Sequence, residues 1–167
     1  MMGMGMARDA TSMNDIQINF AQAEDLPELL EVRYDALYQS AWAFYNPREV
    51  KVLLQDSGIN QLRLMITASL LFKAVNANGA IVGSSGYYEG HLCHLYVHPD
   101  YQGLGIGKKL LHYTENHFIK NAQHQQPPIL RLGSALFSRE FYLKNGYTLV
   151  ENSQDWDGSH YIKFEKL

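Results

Sequence analysis

The chain predicts a mixed α/β (α+β) fold, one sheet flanked by helices, and two patterns carry that expectation. Short apolar runs at residues 70–75, 81–88 and 91–97 have strand lengths and are bounded by Gly, Pro and Asn. Around them stand amphipathic stretches opened by an acidic or amide residue close to a proline, the mark of a capped helix. The strands are too many for a helical bundle. At 167 residues, 46% hydrophobic and 19% charged, the chain has the size and composition of a globular domain with a sizeable core. No repeat or linker divides it. Residues 1–15 therefore read as a flexible leader and 16–167 as one domain.

Taken in order, Ile16, Ile18 and Phe20 alternate with polar residues as a half-buried first strand. Asp25 is the expected cap of the helix that follows, with Pro27 in its first turn and Glu28 at capping-box spacing. Leu26, Leu29, Leu30, Val32, Tyr34 and Leu37 supply its apolar positions. Asn46, Pro47 and Glu49 announce a second helix in the same way, expected to stop near Gly58. Residues 70–75 form a strand, Asn78-Gly79 a type I′ hairpin turn, and residues 81–88 its partner. Residues 91–97 make the fourth strand and 105–121 a helix. Pro127-Pro128 break the chain before a strand at 129–132. A short helix over 137–145 ends at Gly146, which suits a left-handed C-cap. Residues 147–150 and 160–164 close an antiparallel hairpin around the polar loop 152–159. The expected order is β-α-α-β-β-β-α-β-α-β-β.

Where the fourth strand ends, Tyr96-Val97-His98-Pro99 leads into Asp100-Tyr101-Gln102-Gly103-Leu104-Gly105-Ile106-Gly107-Lys108. Three alternate glycines remove side chains that would hold a ligand away from backbone N–H groups. Those N–H groups open a helix, where unpaired donors and the macrodipole favour an anion. A phosphate-bearing ligand follows. G-x-G-x-G is not the dinucleotide fingerprint G-x-G-x-x-G, and no Gly-Lys-Ser/Thr completes a P-loop. The pattern does resemble the Gln/Arg-x-x-Gly-x-Gly/Ala signature of the GCN5-related N-acetyltransferase (GNAT) superfamily, matched at Gln102, Gly105 and Gly107. The preceding Leu95-Tyr96-Val97-His98-Pro99 and the order of elements after residue 15 are similar as well.

That resemblance implies a central mixed, mostly antiparallel sheet whose fourth and fifth strands splay apart. It implies acetyl-CoA as co-substrate and direct attack of a primary amine on the thioester. Main-chain groups of Leu95 and Val97 would pair with the pantetheine arm alongside Tyr96, and the Leu95 N–H would polarise the carbonyl. Gln102 and the amides of Gly103, Leu104, Gly105, Ile106, Gly107 and Lys108 would surround the pyrophosphate. Ser138 to Tyr147 resembles the family's A-x-x-F-Y-x-x-x-G-F segment, which makes Tyr142 the candidate general acid; a phenol near pKa ~10 is protonated at neutral pH.

The base is a departure from the family pattern. The strand position that often carries a carboxylate holds His91, with Cys93 at another common acidic place. Imidazole can accept the proton directly or through water, and Glu89 is a further contender. Strict alternation would set His91, Cys93, Leu95 and Val97 on one face, with His94 and Tyr96 on the other. His91, His94 and His98 are thereby split between faces, so no metal site is expected. An acetyl-cysteine at Cys93 is less in keeping with a strand cysteine than a packing role.

In the superfamily the acceptor groove is built by the first two helices and the last hairpin loop. Here these offer Tyr38, Trp42, Phe44, Tyr45, Asp155, Trp156 and Asp157, which would suit a small cationic amine. A protein or peptide acceptor, and a coenzyme-binding domain without catalysis, are the alternatives. A net charge of −3 argues against a nucleic-acid partner, and no segment reaches the ~20 apolar residues of a membrane span. The single cysteine and the lack of a signal-peptide pattern point to the cytoplasm. The resemblance allows a homodimer.

Overall fold

The computed structural model describes residues 15–55, 58–122, 128–154 and 160–166. The expected leader up to residue 14 lies outside these, as do Asp155, Trp156 and Asp157. The elements are β1 (Gln17–Phe20), α1 (Leu26–Ala41), α2 (Pro47–Gln55), α3 (Ile59–Thr67), β2 (Leu71–Val75), β3 (Ile81–Tyr88), β4 (His91–Val97), α4 (Ile106–Asn121), β5 (Leu130–Ser134), α5 (Arg139–Lys144), β6 (Thr148–Gln154) and β7 (His160–Lys166). The strands form one sheet in the order β1-β2-β3-β4-β5-β7-β6. Every neighbouring pair is antiparallel except β4 and β5. The expected mixed α/β architecture is what the chain adopts.

Local caps decide how the helices start. Asp25 does not cap α1, because its own backbone is already helical and a capping side chain needs an extended one. Its carboxylate instead accepts from the Gln22 N–H at 2.7 Å and pairs with Lys73 Nζ at 2.8 Å, which closes a 3-10 turn ahead of α1. Glu28 accepts from the Ile81 N–H at 2.9 Å, tying α1 to β3. The box at α2 forms as expected, with Glu49 N–H donating to Asn46 Oδ1 at 2.9 Å and Asn46 N–H to Glu49 Oε1 at 3.3 Å. α2 runs to Gln55, near the expected stop at Gly58, and Gly58 itself, with φ +69°, is the N-cap of α3, a helix beyond those expected. Leu62 and Met65, three apart on α3, are fully buried.

The hairpin turns also differ from expectation. Asn78 does not have positive φ, so the β2–β3 turn is not type I′. Gly79 N–H donates to Asn76 O, Asn76 N–H donates to Ala80 O, and Asn76 Oδ1 accepts from the Asn78 and Ala80 N–H groups. The result is a three-residue loop with Gly79 left-handed. The two-residue turn with both φ positive lies instead at Glu89 (φ +50°) and Gly90 (φ +77°), between the paired Tyr88 and His91.

Two helical layers cover the sheet. Ile106 and Leu110 of α4 pack with Ala74 and Val82 on one face, while Leu29 and Val32 of α1 pack with Leu62, Met65, Leu71 and Ile81 on the other. β3 is buried along almost its whole length between them.

Candidate active site

β4 carries the first part of the site, and its irregularity sets the geometry. Between the pairs Tyr87↔Leu92 and Gly86↔His94 one residue of β4 is extra: Cys93 is a β-bulge. Leu92, Leu95 and Val97 consequently pack with the α4 side, and His94 and Tyr96 face α1. This corrects the strict alternation, because the bulge removes His91 from the face of Leu95 and Val97. The same register orients the backbone. His98 N–H donates to Val82 O at 2.8 Å, so His98, Tyr96 and His94 direct their main-chain groups towards β3. Leu95 and Val97 direct theirs the opposite way, towards β5. There β5 has already parted from β4, since the two pair only at His91↔Arg131 and Leu92↔Leu132.

The glycine loop follows at the end of that edge. His98 Nδ1 accepts from the Asp100 N–H at 3.1 Å, closing a 3-10 turn, and Gln102 Nε2 reaches back to Val97 O at 3.0 Å. Gly103 (φ +79°) and Gly105 (φ +86°) then turn the chain into α4 through left-handed conformations. The first bond of the helical ladder is Lys109 N–H to Gly105 O at 3.1 Å. Among the described residues nothing accepts from the N–H groups of residues 103–108. Gly107 has ordinary helical space around it: a Cβ there would meet Phe141 and Val97 no closer than 3.5 Å. Lys109 is engaged with Ile16 O at 2.7 Å, whereas Lys108 is exposed.

Across the gap between β4 and β5 lies α5. Its Tyr142 is buried, with rings of Phe141 and Tyr147 packed edge-on at 5.2 and 5.5 Å. Gly146 (φ +89°) ends the helix as expected, and Tyr147 N–H donates to Tyr142 O at 3.0 Å. Tyr147 OH in turn bonds to the buried Glu115 at 2.8 Å, which Lys166 joins at 3.0 Å. Burial, with a smaller contribution from Tyr96, pushes the Tyr142 phenol up, so it is fully protonated at neutral pH.

Tyr142, Leu95, Tyr96, Cys93 and His94 line one cleft in the splay, closed on the other side by Leu37 and Ser134. His91 is not among its lining residues. It stands exposed at the start of β4 with Nδ1 3.0 Å from Glu89 O. A carbonyl only accepts, so in the neutral ring Nδ1 carries the proton and Nε2 keeps its lone pair. His94 is buried with Nε2 2.6 Å from Ser84 Oγ, and burial together with the Arg33 charge pushes its pKa down to about 3. His94 at the cleft is not evident from the alternation of β4. The one available signal was Ser84-Ser85 inside an otherwise apolar strand, since a buried hydroxyl needs a partner. Cys93 Sγ is contacted by Gln61 Nε2 at 3.5 Å, and burial raises its thiol.

Of the expected acceptor-groove aromatics, Tyr38, Trp42 and Phe44 are exposed. Tyr45 is not a groove wall. It is buried, and its hydroxyl accepts from the Leu136 N–H at 2.8 Å, which fastens the α1–α2 connection to the segment after β5.

Comparisons with known proteins agree with this geometry. Residues 43–167 match the family described as the acetyltransferase (GNAT) domain. An uncharacterised N-acetyltransferase of Methanocaldococcus jannaschii is 35% identical over 69 residues, 41% of this chain and 44% of that relative, so the match spans less than half of either. PaiA N-acetyltransferase from Thermoplasma acidophilum, solved in complex with coenzyme A, shares 26% identity with a TM-score of 0.69, covering 90% of this chain and 98% of that one. A GCN5-related N-acetyltransferase from Rhodopseudomonas palustris has a TM-score of 0.79 at 19% identity, over 93% of this chain and 98% of that one, a likeness of fold. With the splayed sheet, the glycine loop and the matched residues together, the chain belongs to the GNAT acetyltransferase family.

Proposed function

We propose that the protein is an acetyl-CoA-dependent N-acetyltransferase acting on the primary amine of a small molecule by direct attack in a ternary complex. One observation carries this reading: six consecutive N–H groups, residues 103–108, meet no acceptor among the described residues and stand at the end of an open strand edge. A diphosphate supplies the acceptors such a turn lacks. The Leu95 and Val97 main chains, aimed into the splay, would extend the sheet by pairing with an amide-bearing arm. Gly107 fits the same reading. No neighbour requires glycine there, yet glycine in a helix costs about 1 kcal/mol relative to alanine.

Acetyl-CoA supplies the activated acetyl group. His91 stands outside the cleft lining, so its Nε2 would take the ammonium proton through water, leaving a nucleophilic amine. Attack forms the C–N bond, and the oxyanion is stabilised by the Leu95 N–H. Collapse breaks the C–S bond; Tyr142 gives its proton to the departing thiolate and takes back the one released by the new amide nitrogen. A chain with a single cysteine suits the reducing cytoplasm.

Calorimetric titration with coenzyme A and a thiol-release assay over small amines, polyamines, amino acids and peptides test the proposal together. Heat on titration with coenzyme A and thiol release with at least one small amine are expected. Turnover on peptides alone would make the acceptor a protein, binding with no turnover would leave a coenzyme-binding domain, and no binding would end the reading.

A further inference from the structure

Arg33 of α1 is a half-buried cation with no anion opposite it among the described residues. Its guanidinium stands 5.5 Å from the centroid of the Tyr96 ring, and it makes no hydrogen bond or ion pair with any described residue. Glu31 and Asp35, two residues to either side, project from the opposite flank of α1 and line another groove. Leu37, one helical turn on from Arg33 and on the same flank, lines the cleft with Tyr96 and Tyr142. Arg33 is not itself a lining residue; its guanidinium lies between Gly58 and the Tyr96 ring, and Tyr96 is the wall that separates it from the cleft. The Arg33 charge reaches the cleft floor, where it helps keep His94 neutral. Partial burial strips water from a guanidinium, and one aromatic face returns only part of that loss. A planar fork of donors unmet among the described residues, beside a cleft wall, is matched by a carboxylate. Among the described residues no lysine or arginine lines the cleft, so a singly charged group is balanced there and a dianion is not.

We infer that Arg33 receives a carboxylate carried by the acceptor, which makes the acceptor an amino-acid-type molecule bearing both a primary amine and a carboxylate. This rests on the acetyltransferase reading and refines it away from a purely cationic amine.

The test compares matched pairs, phenylalanine, alanine and lysine each against its own amide, in the wild type and in Arg33→Gln and Arg33→Lys. In the wild type kcat/KM is expected to favour the carboxylate by about 10- to 100-fold, the range for a hydrogen-bonded charge. Arg33→Gln brings the ratio near one through KM while KM for acetyl-CoA stays put, and Arg33→Lys restores part of it. A second arm is independent of turnover. N-acetylphenylalanine and its amide are titrated into coenzyme A-bound protein, and the acid is expected to bind more tightly in the wild type only. A thermal melt confirms that each variant is folded. Ratios near one in the wild type, or a preference that Arg33→Gln leaves intact, overturn the inference. Thiol release with any amine would in that case still uphold the acetyltransferase reading, whereas failure to bind coenzyme A would remove both.

Discussion

At the scale of single residues the chemistry turns on where protons can stay. Tyr142 is buried among Phe141, Tyr147 and the cleft wall, so its phenolate is disfavoured and its proton is available. Removing only the hydroxyl leaves the ring and its packing. Tyr142→Phe is accordingly expected to lower kcat by about 10²- to 10³-fold, the usual worth of a positioned acid, while calorimetric affinity for coenzyme A changes little. His91 is the other end of the proposed proton route, with its Nδ1–H fixed by Glu89 O. His91→Ala should lower kcat by about 10²-fold, the worth of a positioned base, while calorimetric affinity for coenzyme A changes little. An unchanged kcat would return the base to Glu89 or to water.

At the scale of elements, the glycine loop separates two demands that its sequence pattern merges. Gly105 is left-handed at the N-cap of α4, where a Cβ costs roughly 1–2 kcal/mol. Gly107 is helical with ordinary clearance. Gly105→Ala is therefore expected to lower stability by about 1 kcal/mol and to weaken coenzyme A binding. Gly107→Ala should gain roughly 0.5–1 kcal/mol from helix propensity. Denaturant melts and titration with coenzyme A check both. If Gly105→Ala bound coenzyme A like the wild type, the loop geometry would not be what shapes the site. This loop was legible in the sequence because glycine, proline and apolar period are local signals, and β3, β4 and α4 were legible for the same reason. Three features were not. The bulge at Cys93 is a matter of register against β3, which the period of β4 alone cannot express. Gly58 reads equally as the end of one helix or the start of another, and α3 decides it by burying Leu62 and Met65. Glu89 takes a left-handed conformation because the strands force a two-residue turn, against a residue preference that pointed to Asn78-Gly79. In the site, the resemblance pointed to Tyr142 and to the strand edge at Leu95, and the fold sets both along one cleft. Arg33 and His94 acquire their meaning only from what lies across from them.

At the scale of the whole molecule, the site imposes a stability that depends on pH. His94 is enclosed between β3, β4 and α1, bonded to Ser84 and close to the Arg33 charge, so the fold accepts it only as a neutral ring. Its ordinary pKa of 6.5 in the unfolded chain falls to about 3 in the folded one. Between those values the unfolded state binds the extra proton. The contribution is complete above pH ~6.5 and is lost progressively as pH falls towards ~3. Each unit in that window is worth about 1.4 kcal/mol. Between pH 7.5 and 5 the wild type should lose about 2 kcal/mol through this residue, before most carboxylates begin to protonate. His117 is shifted in the same direction and adds to the slope, so the informative quantity is a difference between variants. His94→Gln keeps a polar partner for Ser84 and cannot titrate. Urea unfolding at pH 7.5 and at pH 5 should show the wild type losing about 2 kcal/mol more than His94→Gln. Equal losses would mean that the ring beneath the cleft accepts a proton in the folded state, and that the face of β4 turned to α1 is wetter than its packing indicates.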